Sequence, residues 1–318
     1  MRPVPALFDA GEELKYALRD LFLSAGYRRY RMSKFEEYDL YLKHREFLVS
    51  DRVITFTDTG GRLRALRPDV TLSIIKNTQD RPEELSRLCY DEYVYRVSAR
   101  SGEFREIPQA GVECIGSVDD DCLREVLSLA VRSLLLSGRA SVLAVSDLDL
   151  VAGILGGITD RREEQDRLAA LLSAKNEPGI RAELGKRAES GPGWLLRAVT
   201  GLHGRPAEVL GRLKEAAESA GSPAGILAEA ARLEKLFAAL PEETAEHLEL
   251  DLSVVGSRDY YSGLYFQGFV SGAPERVLSG GQYDPLLKAM GRKAKGVGFA
   301  VYPEVLEPLW EEDERWNG

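Results

Sequence analysis

Between Asp9 and Ala25 apolar residues recur at helical spacing: Leu14, Ala17, Leu18, Leu21 and Phe22 mark one face, and Gly26 supplies a stop. Tyr27–Met32 alternates aromatic and basic residues as a strand does, and the acidic, aromatic segment SKFEEYDLYLKHR follows as a loop or short helix. Val53–Thr57 and Leu63–Leu66 flank Asp58-Thr59-Gly60-Gly61, which predicts a hairpin whose second strand delivers Arg67-Pro68-Asp69-Val70-Thr71. Pro68 has no N–H and should interrupt the ladder there. A second hairpin is predicted around Tyr95–Gly116: Tyr93, Tyr95 and Val97 alternate on the way in, Arg100–Gly102 form the polar turn, and Ile107, Val112 and Ile115 mark the return. Leu123, Val126, Leu127, Ala130, Val131, Leu134 and Leu135 then make a helical stripe behind Asp119–Asp121, whose charges suit a helix N-terminus. Ser141–Val145 reads as a buried strand, and Asp147 can cap a short helix through Leu155.

From residue 156 to 247 the pattern changes to Ala, Leu, Glu and Arg punctuated by NEPG, SGPGW, HGRP and GSPAG, with no strand signal, which predicts a helical module. Strand character returns in Leu248–Val255 and Tyr260–Val270. Ser279-Gly280-Gly281-Gln282-Tyr283-Asp284 makes a glycine turn before the short helix PLLKAMG, and Gly296–Val301 is a last small-residue strand. Glycines at such density predict close backbone approach. The fold class expected is α+β: a mainly antiparallel sheet flanked by helices, with a core formed by 1–155 and 248–318 and a helical insertion at 156–247.

Charge narrows the function. The chain has 318 residues and a formal net charge of −9, which argues against a protein built to track a polyanion. Its three cysteines, Cys89, Cys114 and Cys122, lack metal-type spacing and fit buried thiols in a reducing compartment. The N-terminus has no signal-peptide pattern, and no apolar run reaches the roughly 18 residues of a membrane span, so a cytoplasmic location is expected. There is no phosphate loop, GxGxxG, HExxH or GxSxG, and His44, His203 and His247 are scattered; neither a cofactor nor a metal is expected.

Two stretches carry candidate chemistry. Arg96, Arg105, Gln109 and Glu113 lie on or beside the strands of the second hairpin, where alternation can gather cationic, amide and carboxylate groups on one face. Such a face suits a small zwitterion, or equally a solvated sheet surface. Asp69 and Thr71 can share one side of an extended segment and accept from an ammonium group; alternatively they cap the helix suggested by LSIIKN.

Arg67-Pro68-Asp69-Val70-Thr71, Tyr95–Gly116, Arg258-Asp259-Tyr260-Tyr261-Ser262-Gly263 and Gly280-Gly281-Gln282-Tyr283-Asp284 occur in the order found in class II synthetases. Together they resemble the core of histidyl-tRNA synthetase, and more closely that of its paralogues, the regulatory subunits of ATP phosphoribosyltransferase. The resemblance implies a histidine pocket: Asp69 and Thr71 at the ammonium, although the synthetase usually has Glu at the first position, Gln109 near the carboxylate and amino groups, and Glu113 with Tyr261 at the imidazole nitrogens. Arg96 is retained, and Tyr260 and Tyr283 either wall the pocket or serve as ordinary core aromatics.

Three cations of the synthetase pattern are missing. Gly256 stands at the position of an Arg that helps activate the amino-acid carboxylate, Glu103 at that of an Arg contacting ATP phosphates, and Val305 at that of an Arg gripping ATP. Loss of even one preorganised charge of this kind costs about 10²-fold or more in rate. Ser33 also replaces the usual Pro of the first motif, before Phe35 and Glu36, in a region that supports the family's dimer interface. The chain ends soon after the last motif, so no anticodon-binding domain and no tRNA binding are expected. The resemblance thus implies a non-catalytic regulatory subunit that joins the short-form ATP phosphoribosyltransferase catalytic subunit in the first step of histidine biosynthesis. Histidine would be its feedback effector, and a homodimer within a hetero-oligomer its assembly. The alternatives are a histidine-activating synthetase-like ligase and a histidine-binding module with another partner.

Overall fold

The computed structural model describes residues 9–48, 52–98, 101–221 and 224–316. Arg100 of the predicted turn, Ser222 and Pro223 of GSPAG, and the termini 1–8 and 317–318 lie outside the described residues. The chain opens with α1 (Ala10–Ser24), β1 (Arg28–Arg29), β2 (Phe35–Glu37), α2 (Tyr38–Lys43), β3 (Thr55–Thr57), β4 (Leu63–Leu66) and α3 (Val70–Asn77). The long hairpin β5 (Leu85–Val97) and β6 (Phe104–Gly116) follows, then α4 (Asp120–Leu135) and β7 (Ser141–Asp147). Next come α5 (Leu148–Ile158), α6 (Arg162–Ser173), α7 (Glu177–Leu184), α8 (Gly191–Val199), β8 (His203–Gly204), α9 (Pro206–Ser219), α10 (Ala224–Ala238) and α11 (Glu242–Glu246). The last elements are β9 (Leu248–Asp251), β10 (Ser262–Val270), β11 (Leu278–Gln282), α12 (Asp284–Ala289), β12 (Lys295–Val301) and α13 (Pro303–Trp316).

Nine strands form one sheet in the order β1-β5-β6-β12-β11-β10-β7-β9-β8. Among the described residues only the pairs β1·β5 and β7·β9 are parallel, so the sheet is mainly antiparallel, as expected. A small antiparallel sheet, β2-β4-β3, stands beside it and carries the predicted first hairpin.

Alternation sorts the hairpin onto two cores. Ala110, Val112 and Cys114 of β6, with Cys89 of β5, turn to a large apolar cluster that includes α1, α4 and the helices between β7 and β9. Ile107, Ile115, Leu88, Tyr90 and Val94 turn to the other face, where they meet α3, α12 and Tyr283 in a smaller cluster. Gln109 and Glu113 share this second face by their even spacing, and Arg105, directly opposite Arg96, lies in the same phase. One period-2 pattern thus builds both the main core and the polar face.

Capping fixes the helices around the sheet. Asp9 and Glu12 form a capping box on α1, Asp119 accepts from Cys122 N at the start of α4, and Asp147 accepts from Leu150 N at the start of α5. Several expected boundaries are corrected. The strand read over Tyr27–Met32 shrinks to Arg28–Arg29, and the one read over Leu248–Val255 ends at Asp251, whose Oδ1 takes the N–H and hydroxyl of Ser253 and turns the chain. The predicted strandless segment 156–247 contributes β8, which pairs with β9 at the sheet edge. All three cysteines are free and buried. Among the described residues no helix is long and apolar enough to cross a membrane.

Candidate functional site

The polar face of the hairpin forms the wall of a cavity of about 240 Å³. All eight candidate residues, Asp69, Thr71, Arg96, Gln109, Glu113, Tyr260, Tyr261 and Tyr283, line it. They arrive from four places in the chain: the start of α3, the β5–β6 hairpin, the segment before β10, and the turn between β11 and α12. The volume lies below the usual drug-sized range, which favours a compact ligand.

Arg67 anchors the first of these segments. Its side chain is fully buried, donates to Ser33 O at 2.7 Å and Tyr93 O at 2.7 Å, and pairs with Glu92 at 3.1 Å. Its backbone N–H and C=O bond Lys34 O and Tyr95 N. The segment 67–71 is therefore pinned to β5 just before Asp69 accepts from Leu72 N at 2.8 Å and starts α3. Asp69 is thus both the helix cap and part of the cavity lining, so its two sequence readings coexist. Burial raises the Asp69 carboxyl above its ordinary range, opposed by the Leu72 N–H and by Arg96.

Glu113 is buried, 2% exposed. Its Oε1 accepts from Thr71 Oγ1 at 2.7 Å, and its Oε2 has no hydrogen-bond partner. The nearby Tyr283 hydroxyl is likewise buried and unpartnered. Burial pushes the Glu113 carboxyl up to about 7, with the Tyr283 phenol and Thr71 hydroxyl opposing and the Asp69 charge adding. An unsatisfied buried oxygen costs about 1–3 kcal/mol, so a ligand offering an N–H here recovers that cost. Gly298 of β12 makes the room: a Cβ there would stand 2.1 Å from Glu113 Oε2 and 2.4 Å from Val112 O. The predicted close approach of the glycine strand is therefore an approach to this carboxylate.

Aromatic rings close the remaining sides. Tyr260 and Tyr261 lie 4.5 Å apart between centroids, Tyr261 and Tyr265 4.8 Å, and Phe47 meets Tyr260 edge-on at 6.4 Å. Such a wall favours a planar or cationic guest. Sequence reading missed Tyr90, Tyr265, Tyr302 and Arg276, which also line the cavity. The tyrosines carry strand-like alternation indistinguishable from core packing, and Arg276 lies in a loop without a motif.

The three departures from the synthetase pattern have distinct surroundings. At Gly256 a Cβ would meet the Tyr265 ring at 3.0 Å and the Tyr261 ring at 3.2 Å, so the tyrosine wall occupies the space a side chain there would take. Glu103 is exposed at the hairpin tip and accepts from Ser101 Oγ at 3.0 Å. Val305 packs against the large core from the first turn of α13, beside Glu304, which pairs with Arg105. Arg96 donates through Nε to Pro68 O at 3.1 Å.

Comparison with known proteins identifies the family. The family model described as histidyl-tRNA synthetase matches residues 4–306. An ATP phosphoribosyltransferase regulatory subunit of Caldanaerobacter subterraneus subsp. tengcongensis is 30% identical over 306 residues, which cover 95% of this chain and 79% of that protein. A solved ATP phosphoribosyltransferase regulatory subunit/histidyl-tRNA synthetase from Bacillus halodurans matches with a TM-score of 0.79 at 24% identity, over 98% of this chain and 82% of that one. A chain from an ATP phosphoribosyl transferase complex of Thermotoga maritima matches with a TM-score of 0.66 at 17% identity, over 92% and 97%. At these identities the two structures speak to the fold alone. The chain belongs to the histidyl-tRNA synthetase family and, within it, to the ATP phosphoribosyltransferase regulatory subunits.

Proposed function

We propose that this chain is the histidine-sensing, non-catalytic subunit of an ATP phosphoribosyltransferase. The 240 Å³ cavity binds free histidine, and the catalytic residues belong to a short-form catalytic subunit that the chain joins in the cytoplasm as a homodimer within a hetero-oligomer. The observation that carries this reading is Glu113: a buried carboxylate with one oxygen satisfied by Thr71 and the other without a hydrogen-bond partner, beside the Tyr283 phenol. The imidazole of histidine supplies one N–H to Glu113 and a second ring nitrogen to a tyrosine hydroxyl of the wall, Tyr261 by resemblance. Asp69, Thr71 and Gln109 then face the amino group, and Arg96 the carboxylate side. The helical segment 156–247 is an insertion in a synthetase-like core formed by 1–155 and 248–318.

The chemistry of activation is poorly supported. Neither Gly256 nor Val305 offers a cation, and Glu103 would repel a triphosphate at the hairpin tip. A bound amino acid is therefore held and not adenylated. Regulation requires histidine to bind the inhibited assembly more tightly than the active one, because a ligand of equal affinity shifts nothing.

Co-expression with a short-form catalytic subunit tests the assignment. The two chains are expected to co-purify, and the pair to transfer phosphoribosyl groups from phosphoribosyl pyrophosphate to ATP faster than the catalytic chain alone. Failure to associate, or histidine-dependent exchange of pyrophosphate into ATP by this chain alone, would overturn it.

A further inference from the structure

The cavity has a charge polarity that its eight candidate residues do not fully account for. Its deep end holds the carboxylates of Glu113 and Asp69; a second cavity of about 380 Å³ adjoins it and shares Arg96, Arg276 and Tyr302 with it. Two guanidiniums therefore stand where the two cavities meet: Arg96, close enough to Asp69 to oppose the rise of its carboxyl, and Arg276 in the loop before β11. Arg96 already spends its Nε on Pro68 O. Arg276, just before β11, is exposed and has neither an ion-pair nor a hydrogen-bond partner among the described residues. It acts on the Tyr265 phenol, which burial raises above its ordinary range, in the opposite sense, and so its charge is felt inside the tyrosine wall.

An exposed guanidinium beside a cavity that already contains a fixed acid and its own aromatic wall is held by water alone and can exchange that water for an acceptor on a ligand. Neighbouring cations do not share this availability: Arg105 is paired with Glu304 across the second cavity. Gly256, which lies behind the tyrosine wall, leaves no side chain to serve from that direction.

We propose that Arg276 is the residue that recognises the α-carboxylate of the bound amino acid, closing over the ligand from the loop before β11. The inference rests on the reading of the cavity as an amino-acid pocket and adds the group that discriminates an amino acid from its decarboxylated or reduced analogues. Arg276 offers all of its guanidinium N–H groups, including the Nε side of the fork that Arg96 already gives to Pro68 O. The same exposure that leaves it free lets it swing without disturbing the core.

The test uses the full chain and two probes: L-histidine, and histidinol, which keeps the amine and imidazole but carries an alcohol in place of the carboxylate. Calorimetric titration is expected to show Arg276→Ala weakening L-histidine by about tenfold or more while changing histidinol affinity less than twofold. Arg276→Lys should recover part of the loss. Because the exposed side chain has no hydrogen-bond or ion-pair partner among the described residues, the unfolding midpoint of both variants should match that of the wild type. Equal weakening of both ligands, or no weakening of either, would overturn the role of Arg276 and leave the pocket intact. If the wild type bound neither probe, the amino-acid pocket itself would fall, and this role with it.

Discussion

Glu113 carries the energetic tension of the site. A carboxyl whose value rises from 4.5 to about 7 on folding holds its proton more tightly in the folded chain. Its contribution to stability is therefore complete on the acid side, declines as pH rises from about 4.5 through about 7, and levels beyond. Asp147, raised from 3.8 to about 7 by burial, adds a second decline over nearly the same range. Chemical unfolding between pH 4 and 8 should therefore show stability falling with pH in the wild type and falling less in Glu113→Gln, where the Glu113 part is removed and that of the other buried carboxyls, Asp147 among them, remains. Identical pH slopes in the two proteins would mean that Glu113 is not held in an unfavourable ionised state. The residue was legible in the sequence as part of a family motif; its orphaned oxygen was not, because that depends on Gly298 from a strand almost two hundred positions away.

At the scale of elements, the β5–β6 hairpin divides labour by phase: one set of residues feeds the main core and the alternate set faces the cavity. This was readable from Tyr95–Gly116 because period-2 alternation is explicit there. The earlier half of β5, from Leu85, was not, since LSRLCYDEY mixes polar and apolar residues on both faces of a strand paired on both sides. The parallel pairs β1·β5 and β7·β9 were likewise hidden, because they join segments with no shared turn. Helix starts were legible, since Asp9, Asp119 and Asp147 act locally. The partnership of β12 with β6 makes a sharp prediction. Gly298→Ala introduces a methyl group against both Glu113 Oε2 and Val112 O, and overpacking of this kind costs about 1–3 kcal/mol. Urea unfolding should show a lower midpoint, and histidine binding should be lost with it; an unchanged midpoint would mean that β12 does not approach the hairpin this closely.

For the molecule as a whole, the residues proposed to hold an amino acid gather in the cavity, whereas the hairpin-tip position proposed to have lost its ATP contact faces solvent. The buried face of the hairpin, with Gln109 and Glu113, α3 with Thr71, and the tyrosines before β10 and after β11 converge on one cavity. The outer end of the same hairpin presents Glu103 to solvent and ties Arg105 to Glu304 of α13. Fold and cavity followed from the sequence because the motifs keep their order across the helical segment between β7 and β9. The free cation Arg276 did not, because a loop Arg carries no periodic or spacing signal. The most direct measurement of histidine sensing is calorimetric titration of L-histidine against the chain in complex with its catalytic partner, with Glu113→Ala and Glu103→Ala in parallel. The expected result is measurable binding by the wild type, a loss of about tenfold or more in Glu113→Ala from the missing acceptor, and no change in Glu103→Ala. Equal affinity of the wild type and Glu113→Ala would contradict the assignment of this cavity as the histidine sensor.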